Sequence, residues 1–515
     1  MNPVELSIFS ARISAVCDEM GAVLQRAAFS PNIRDRLDFS CAVFDAQGGL
    51  CAQAAHIPVH LGSMAYAMGD IVAELPWQAG DMVVVNDPYL GGTHLPDVTL
   101  IAPVFVDEVL QGFVANRAHH ADIGGHTPGS MPISRTLEEE GIVIAPAFLV
   151  QQGKINQALL DDILSATRNR RIGAGDFAAQ ISANKTGVQR LAKLIQQFGA
   201  SAYQAGLQAV NDYAERLARK TLATIPTGVY AFEDVMDDDG LGHERLSIKL
   251  RLSVDAECIT ADFTGSAAQV PGNINCPLPV VAAAVYYVFR CLMPAQTPAC
   301  AGSFRPIRIV APEGSLLNAR RPAAVAAGNV ETSTRIVDVV MGALARAIPQ
   351  AIPAASHGSM NNLAMGGEYG SETWDYYETM GGGMGAGPRT HGLSGVQTHM
   401  TNTRNTPIEV MESHFPLRIH RYALRRDSGG AGQYQGGDGL DREIEFLAPA
   451  TVTLLSERRL LAPWGLAGGE DAQPGQNRLN GVSLPGKACL QVRAGDRLRI
   501  CTPGGGGWGA PAITN

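Results

Sequence analysis

Residues 98–106 (VTLIAPVFV) and 109–116 (VLQGFVAN) are two β-prone runs separated only by Asp107-Glu108. That spacing predicts a hairpin with a two-residue turn. In such a ladder the numbers of facing residues share a constant sum, here about 215 by the geometry of paired strands. Asp97 then lies beside Ala118 and Pro96 beside His119, so His94, Asp97 and His119 converge at the open end of the hairpin. A slip of one residue in this register exchanges His119 for His120.

The stretch 86–126 around that open end holds His94, Asp97, His119, His120, Asp122 and His126. An isolated histidine is most often a capping or hydrogen-bonded loop residue, but a cluster brought together by one hairpin is a different case. Two imidazoles and one carboxylate suit Zn²⁺, Mn²⁺ or Fe²⁺ and leave coordination positions open, the arrangement of a catalytic site. His94, Asp97 and His119 are assigned to the metal, and His120 is left beside the substrate. Asp38 precedes the alternating run 39–44. Either it points into the same site as a further ligand, or it pairs with Arg34 or Arg36. His56 and His60 have the spacing of a helical pair, but Pro58 between them disfavours a helix interior. They read as loop or substrate-pocket residues.

Hydrophobic residues make up 46% of the 515 and charged residues 17%, a globular composition with room for two or three domains. The net charge of −9 and the scatter of Lys and Arg give no footprint for nucleic acid. The N-terminus reads as a helix rather than a secretory signal, and the apolar run 278–289 is too short to span a membrane. Nine dispersed cysteines without a CxxC pair suit the cytoplasm.

The expected class is mixed α+β, in three parts. Residues 1–225 form a metal-bearing α/β region that ends in a helical pair, on stripes such as Val188, Leu191, Ile195 and Tyr203, Leu207, Val210. Pro226 opens a mixed α/β region, 226–350, with Leu246 to Val254 alternating as a half-buried strand. Residues 351–515 are Gly-rich with β segments, ordered loops in which backbone approaches backbone or ligand.

No G-x-S-x-G or H-E-x-x-H motif is present. The segment GVSLPGKA, 481–488, imitates a P-loop, but Ala488 replaces the Mg²⁺-binding hydroxyl and Pro485 removes a phosphate-facing N–H. ATP, if used, belongs on another chain.

NDPYLGGTHLPDV, AHHADIGG, GNINCP, YETMGGGMGAG and the terminal TPGGGGWG resemble the hydantoinase B/oxoprolinase family over essentially the whole chain. That family includes N-methylhydantoinase B subunits, the B portion of 5-oxoprolinase, caprolactamase-type subunits and the acetone carboxylase α subunit. The resemblance implies a metal on His94, Asp97 and His119 with Asp38 nearby. It also implies a hetero-oligomer with a hydantoinase A-type subunit that phosphorylates a cyclic amide with ATP. Asp38 or His120 would handle the attacking water, and backbone N–H groups at Gly91, Gly92, Gly124 and Gly125 would meet phosphate or oxyanion. The alternatives are an acetone-carboxylase-like carboxylation and a non-catalytic structural partner.

Overall fold

The computed structural model describes residues 1–55 and 57–511. Helix α1 (Pro3–Ala27) starts on a capping box in which the Asn2 side chain accepts from Glu5 N and the Glu5 carboxylate accepts from Asn2 N. After the short α2 (Pro31–Arg34) come strands β1 (Phe39–Asp45) and β2 (Leu50–Ala55), then α3 (His60–Glu74). Strands β3 (Met82–Val85), β4 (Asp97–Val106), β5 (Val109–His119), β6 (Ala147–Gln151) and β7 (Lys154–Ile155) complete an antiparallel sheet ordered β2-β1-β5-β4-β3-β6-β7. Between β5 and β6 lies the single turn α4 (Leu137–Glu140).

The hairpin β4–β5 is the centre of this sheet and is covered on both faces. Val98, Leu100, Ala102, Val104 and Val114 join one apolar core with Phe9 and Ile13 of α1. Ile101, Phe113 and Ala115 join another with Met64, Met68 and Val72 of α3. A sheet buried on two sides has no polar face, which is why these runs are almost continuously apolar.

The turn has Asp107 and Glu108 both at positive φ, 50° and 62°, as a two-residue primed turn requires. Val106 faces Val109 as the sequence predicts, but a bulge between Val104 and Phe105 shifts the register by one. Gln111 is the extra residue. Next to it, Gly112 lies so close to β1 that a Cβ would stand 2.4 Å from Phe44 O. Beyond the bulge Asp97 faces His119 directly, rather than Ala118. The expected register therefore holds only beside the turn, and the bulge corrects it at the open end.

Helices α5 (Gln157–Ser165), α6 (Arg170–Phe198) and α7 (Ala200–Leu222) follow, with Gly199 at φ 80° separating the last two. Leu191, Ile195, Tyr203, Leu207 and Val210 all enter the core shared with α1. Strands β8 (Gly228–Asp238), β9 (Glu244–Val254), β10 (Ile259–Asp262) and β11 (Ile307–Val310) form a second sheet. On it packs α9 (Ser333–Ala347), while α8 (Leu278–Leu292) packs against α9 and α3, and the shared core buries Ile248, Leu250, Leu252 and Val254. This core continues into Met360, Ala364, Tyr377 and Met400 and back to Ile57 and Val59. No helix among the described residues is long and apolar enough to cross a membrane.

The remaining strands are β12 (Asn362–Tyr369), β13 (Glu372–Glu378), β14 (Leu417–Arg425), β15 (Gly439–Phe446), β16 (Ala450–Leu455), β17 (Gln476–Leu479), β18 (Val482–Leu484), β19 (Lys487–Val492) and β20 (Arg497–Cys501), with α10 (Ile408–His414) before β14. They make two sheets, β13-β12-β16-β19 and β14-β15-β20-β17-β18. The two sheets share one apolar core, and the Gly-rich segments near 380–395, 428–439 and 502–509 run as extended chains bonded backbone to backbone. Gly437 N donates to Met384 O, Gly505 N to Gly437 O and Gly383 N to Pro503 O. A Cβ at Gly436 would stand 1.8 Å from Gly505 O, and one at Gly383 1.9 Å from Gly437 O. These glycines pack backbone on backbone.

Gly436→Ala is expected to destabilise the protein by on the order of 3 kcal/mol, because the neighbour it meets is main chain that cannot step aside. Gly387→Ala, whose Cβ would meet only the Thr390 hydroxyl at 3.2 Å, is expected to stay within about 0.5 kcal/mol of wild type. Urea midpoints of the two variants compare them, and equal midpoints would contradict the backbone-packing account.

Candidate metal centre

His94 lies in the loop that leads into β4, Asp97 is the first residue of β4, and His119 is the last of β5. One ligand atom from each lies within 4.8 Å of the others, and the residues are 0%, 1% and 3% exposed. The loop is held from several sides. Asn86 donates to Leu95 O and Ile142 O and accepts from Ile144 N. A Cβ at Gly92 would collide with Asp87 O at 2.7 Å, so the turn closes tightly there. Arg117, on the same face as Asp97 and His119 by strand alternation, donates to Thr99 Oγ1, Ser63 Oγ and Gly91 O. It ties the loop, β4 and α3 together.

Burial alone would hold the Asp97 carboxyl protonated. The imidazoles of His94 and His60 outweigh it and bring the group well below the usual carboxylate range. Asp97 Oδ1 lies 3.4 Å from His94 Nε2, while Oδ2 lies 3.3 Å from His60 Nε2 and accepts a short hydrogen bond from Thr93 Oγ1. His60 is fixed in turn through Nδ1 by Ser40 Oγ at 3.0 Å. Burial, with His94 beside it, pushes His119 well below its ordinary value, so it stays neutral. Asn32 of α2 meets His119 Nδ1 at 3.1 Å, and its amide serves either state of that nitrogen by turning over.

Both ring nitrogens of His94 and Nε2 of His119 are buried without a hydrogen-bond partner. Buried polar atoms without a hydrogen-bond partner are costly. Ring nitrogens that face a carboxylate and have no hydrogen-bond partner are the donor set of a divalent transition metal, and the residues present fit one.

Asp38 precedes β1, is 6% exposed, and its carbonyl accepts from His119 N at 3.0 Å. Burial raises its pKa against the opposing charge of Arg36, whose Nη2 is 3.8 Å away, while Arg34 pairs with Asp35 instead. Its carboxylate is not among the three converging groups. His120 points the other way: its Nε2 meets Gln180 Oε1 at 2.9 Å and its ring lies 4.6 Å from Phe177. It thus faces α6 and is not among the three converging groups.

The amide donors expected at the glycines are mostly engaged within the chain. Gly92 N donates to Asp87 O, Gly124 N to Asp122 Oδ1 and Gly125 N to Ser130 Oγ, and Gly91 offers its carbonyl to Arg117. Asp122 is committed to Ser130 and Arg168, and His126 is exposed. His56 lies outside the described residues. His60, expected in a loop, is the first residue of α3 and orients Asp97. Sequence reasoning does not reach Asn32, Thr93, Arg117 or Tyr377 either. Of these, only Thr93, four residues before Asp97, carries a local signal. Lys487 of the P-loop-like segment lies on β19, bound to Glu457 Oε1 at 2.6 Å.

The hydantoinase B/oxoprolinase family model matches residues 2–511. A 5-oxoprolinase 1 of Arabidopsis thaliana is 42% identical over 98% of the chain, which spans 42% of that relative. A putative D-/L-hydantoinase of the B type from Pseudomonas sp. (strain NS671) is 33% identical over 99% of the chain and 90% of the relative. The chain thus spans about two fifths of some curated relatives and nearly all of others. The crystal structure of the ATP-dependent caprolactamase from Pseudomonas jessenii superposes with a TM-score of 0.93 at 27% identity, covering 100% of this chain and 92% of that one.

Beside the triad, Glu140 is fully buried, and burial pushes its carboxyl up to about 7 from an ordinary value of 4.5. It accepts from Ser134 Oγ, Val325 N and Ala326 N. A carboxyl raised on folding binds its proton more tightly in the folded state. Its stabilising contribution is full below the unfolded pKa and fades as pH rises toward 7. Glu140→Gln should therefore lose less stability than wild type between about pH 5 and pH 7, by on the order of 1 kcal/mol. Urea midpoints across that range read the difference, and parallel curves would contradict it.

Proposed function

The chain belongs to the hydantoinase B/oxoprolinase family, and we propose that it is the metal-bearing subunit of an ATP-dependent enzyme that hydrolyses a cyclic amide. The observation that carries this reading is the convergence of His94, Asp97 and His119 with unpartnered ring nitrogens in a buried site. The names of its relatives, 5-oxoprolinase, hydantoinase and caprolactamase, all concern cyclic amides.

In this reading His94, Asp97 and His119 hold a divalent Zn, Mn or Fe ion. When bound, such an ion supplies Lewis acidity at neutral pH and polarises a carbonyl oxygen. Thr93 and His60 hold Asp97 in one orientation, so Oδ1 stays directed toward His94. Asp38, whose burial raises its affinity for a proton, takes the proton of the attacking water. His120 has no part in this step, because it is bound to Gln180.

An unstrained amide resists attack, and phosphorylating its carbonyl oxygen with ATP creates a leaving group. Water then adds to that carbon and the ring C–N bond breaks with its electron pair and a proton going to nitrogen, and a second water hydrolyses the resulting acyl phosphate to the carboxylate and inorganic phosphate. ATP belongs on a hydantoinase A-type partner, since the P-loop-like lysine here is tied to Glu457. The longer relatives would carry that portion in the same polypeptide. Nine free cysteines and the absence of a membrane-crossing helix among the described residues suit a cytoplasmic hetero-oligomer.

His94→Ala and Asp97→Ala are each expected to lose bound metal and to lower ATP-dependent ring opening by at least about 100-fold in the complex with the partner. Metal analysis and turnover of 5-oxoproline, hydantoins and caprolactam check this. Unchanged turnover in either variant would refute the assignment, and turnover that depends on bicarbonate would indicate carboxylation instead.

A further inference from the structure

His119 is held by residues far from it in sequence. Tyr377 of β13 lies flat on its ring, with centroids 4.7 Å apart and planes 4° from parallel. The Tyr377 hydroxyl donates to Asn362 Oδ1 at 2.8 Å, and Asn362 Nδ2 donates to Glu331 Oε1 at 2.7 Å. Glu331 Oε1 also accepts from Met360 N at 2.9 Å, and all three residues are 0–1% exposed. Arg36 donates to Tyr377 O at 2.9 Å, with its guanidinium 5.1 Å from the ring.

Glu331 sits in a π-turn, Gly328–Thr332, ahead of α9. That turn is pressed on the 273–276 segment so closely that a Cβ at Gly328 would stand 1.8 Å from Asn275 O. Turns of this width are uncommon and recur at functional sites. Tyr377, Asn362 and Glu331 take no part in the hydrolytic step itself.

We propose that Tyr377 is a positioning residue for His119, and that the strut Tyr377–Asn362–Glu331 sets how tightly the triad holds its metal. An imidazole ligand binds well only when its ring plane is fixed before the metal arrives, and the groups that fix it are worth about 10–100-fold in metal affinity. Asn32 fixes one edge of the His119 ring, at Nδ1, and Tyr377 fixes one face. Together they leave Nε2 a single direction. Burial, with Glu457 close by, pushes the Glu331 carboxyl up to about 8, so the strut carries no net charge at neutral pH.

The inference rests on the metal-site reading, and titrating the metal-free full chain with Zn²⁺ against a chromophoric chelator separates the two. Tyr377→Leu, which removes both stack and hydroxyl, should weaken Zn²⁺ binding by about 10–100-fold. Tyr377→Phe keeps the stack and should lose only about 3-fold, and Glu331→Gln, which keeps a neutral acceptor, should stay within about 2-fold. Circular dichroism and thermal midpoints of the metal-free proteins confirm folding. If Tyr377→Leu does not fold, Tyr377→Phe and Asn362→Leu carry the test, both expected to be measurably weaker than wild type. Zn²⁺ affinities equal to wild type in the folded variants would overturn the positioning role alone. No Zn²⁺ binding by wild type would overturn the metal-site reading and this inference with it.

Discussion

Asp97 is a carboxylate at 1% exposure, and the structure around it compensates for that burial. An isolated charge in such a place would cost several kcal/mol even after relaxation. Here His94 and His60 lie 3.4 and 3.3 Å from its two oxygens, and Thr93 donates to one of them. Thr93 and His94 arrive on the loop before β4, and His60 at the start of α3. The carboxylate is tolerable only when all of these are docked. The site is thus as much a consequence of the sheet and its covering helices as a feature placed on them.

The same dependence extends into the C-terminal half. Arg36, at 0% exposure two residues before Asp38, donates to Tyr377 O, and its main-chain carbonyl accepts from Arg404 N. Val59, beside His60, donates to Met400 O. The segment carrying Met400 and Arg404 follows the first of the Gly-rich chains, whose backbone lies in direct contact with the other two at Gly383, Gly436 and Gly505. Those glycines meet main chain on the neighbouring segments. They let extended chains stack closely enough to support the loops that reach it.

What was legible in the sequence was what is local. The hairpin could be read from two apolar runs around Asp107-Glu108, and His94, Asp97 and His119 followed from it as neighbours at the open end. The strand after Pro226 and the stripes of α6 and α7 were legible by periodicity. The bulge was not, because Gly112 signals it only through its approach to Phe44 O on another strand. That bulge places His119 rather than Ala118 opposite Asp97, and His120 then faces Gln180. His60, Asn32 and Tyr377 reach the site only through tertiary packing, across 37, 87 and 258 positions from Asp97 or His119. Nothing in the local sequence marks Asn32 or Tyr377, and His60, read there as a loop or substrate-pocket residue, carries no sign that Asp97 is its partner. The glycines proposed as donors had the right type but not the right freedom, since three of their amides are already bonded within the chain.

Anomalous diffraction at a metal absorption edge, from crystals grown with Zn²⁺ or Mn²⁺, tests the central claim most directly. The account predicts one strong anomalous peak within coordination distance of a His94 ring nitrogen, an Asp97 carboxylate oxygen and His119 Nε2. A peak elsewhere, for instance between His399 and Asp338, or a triad free of density in metal-loaded crystals, would contradict it.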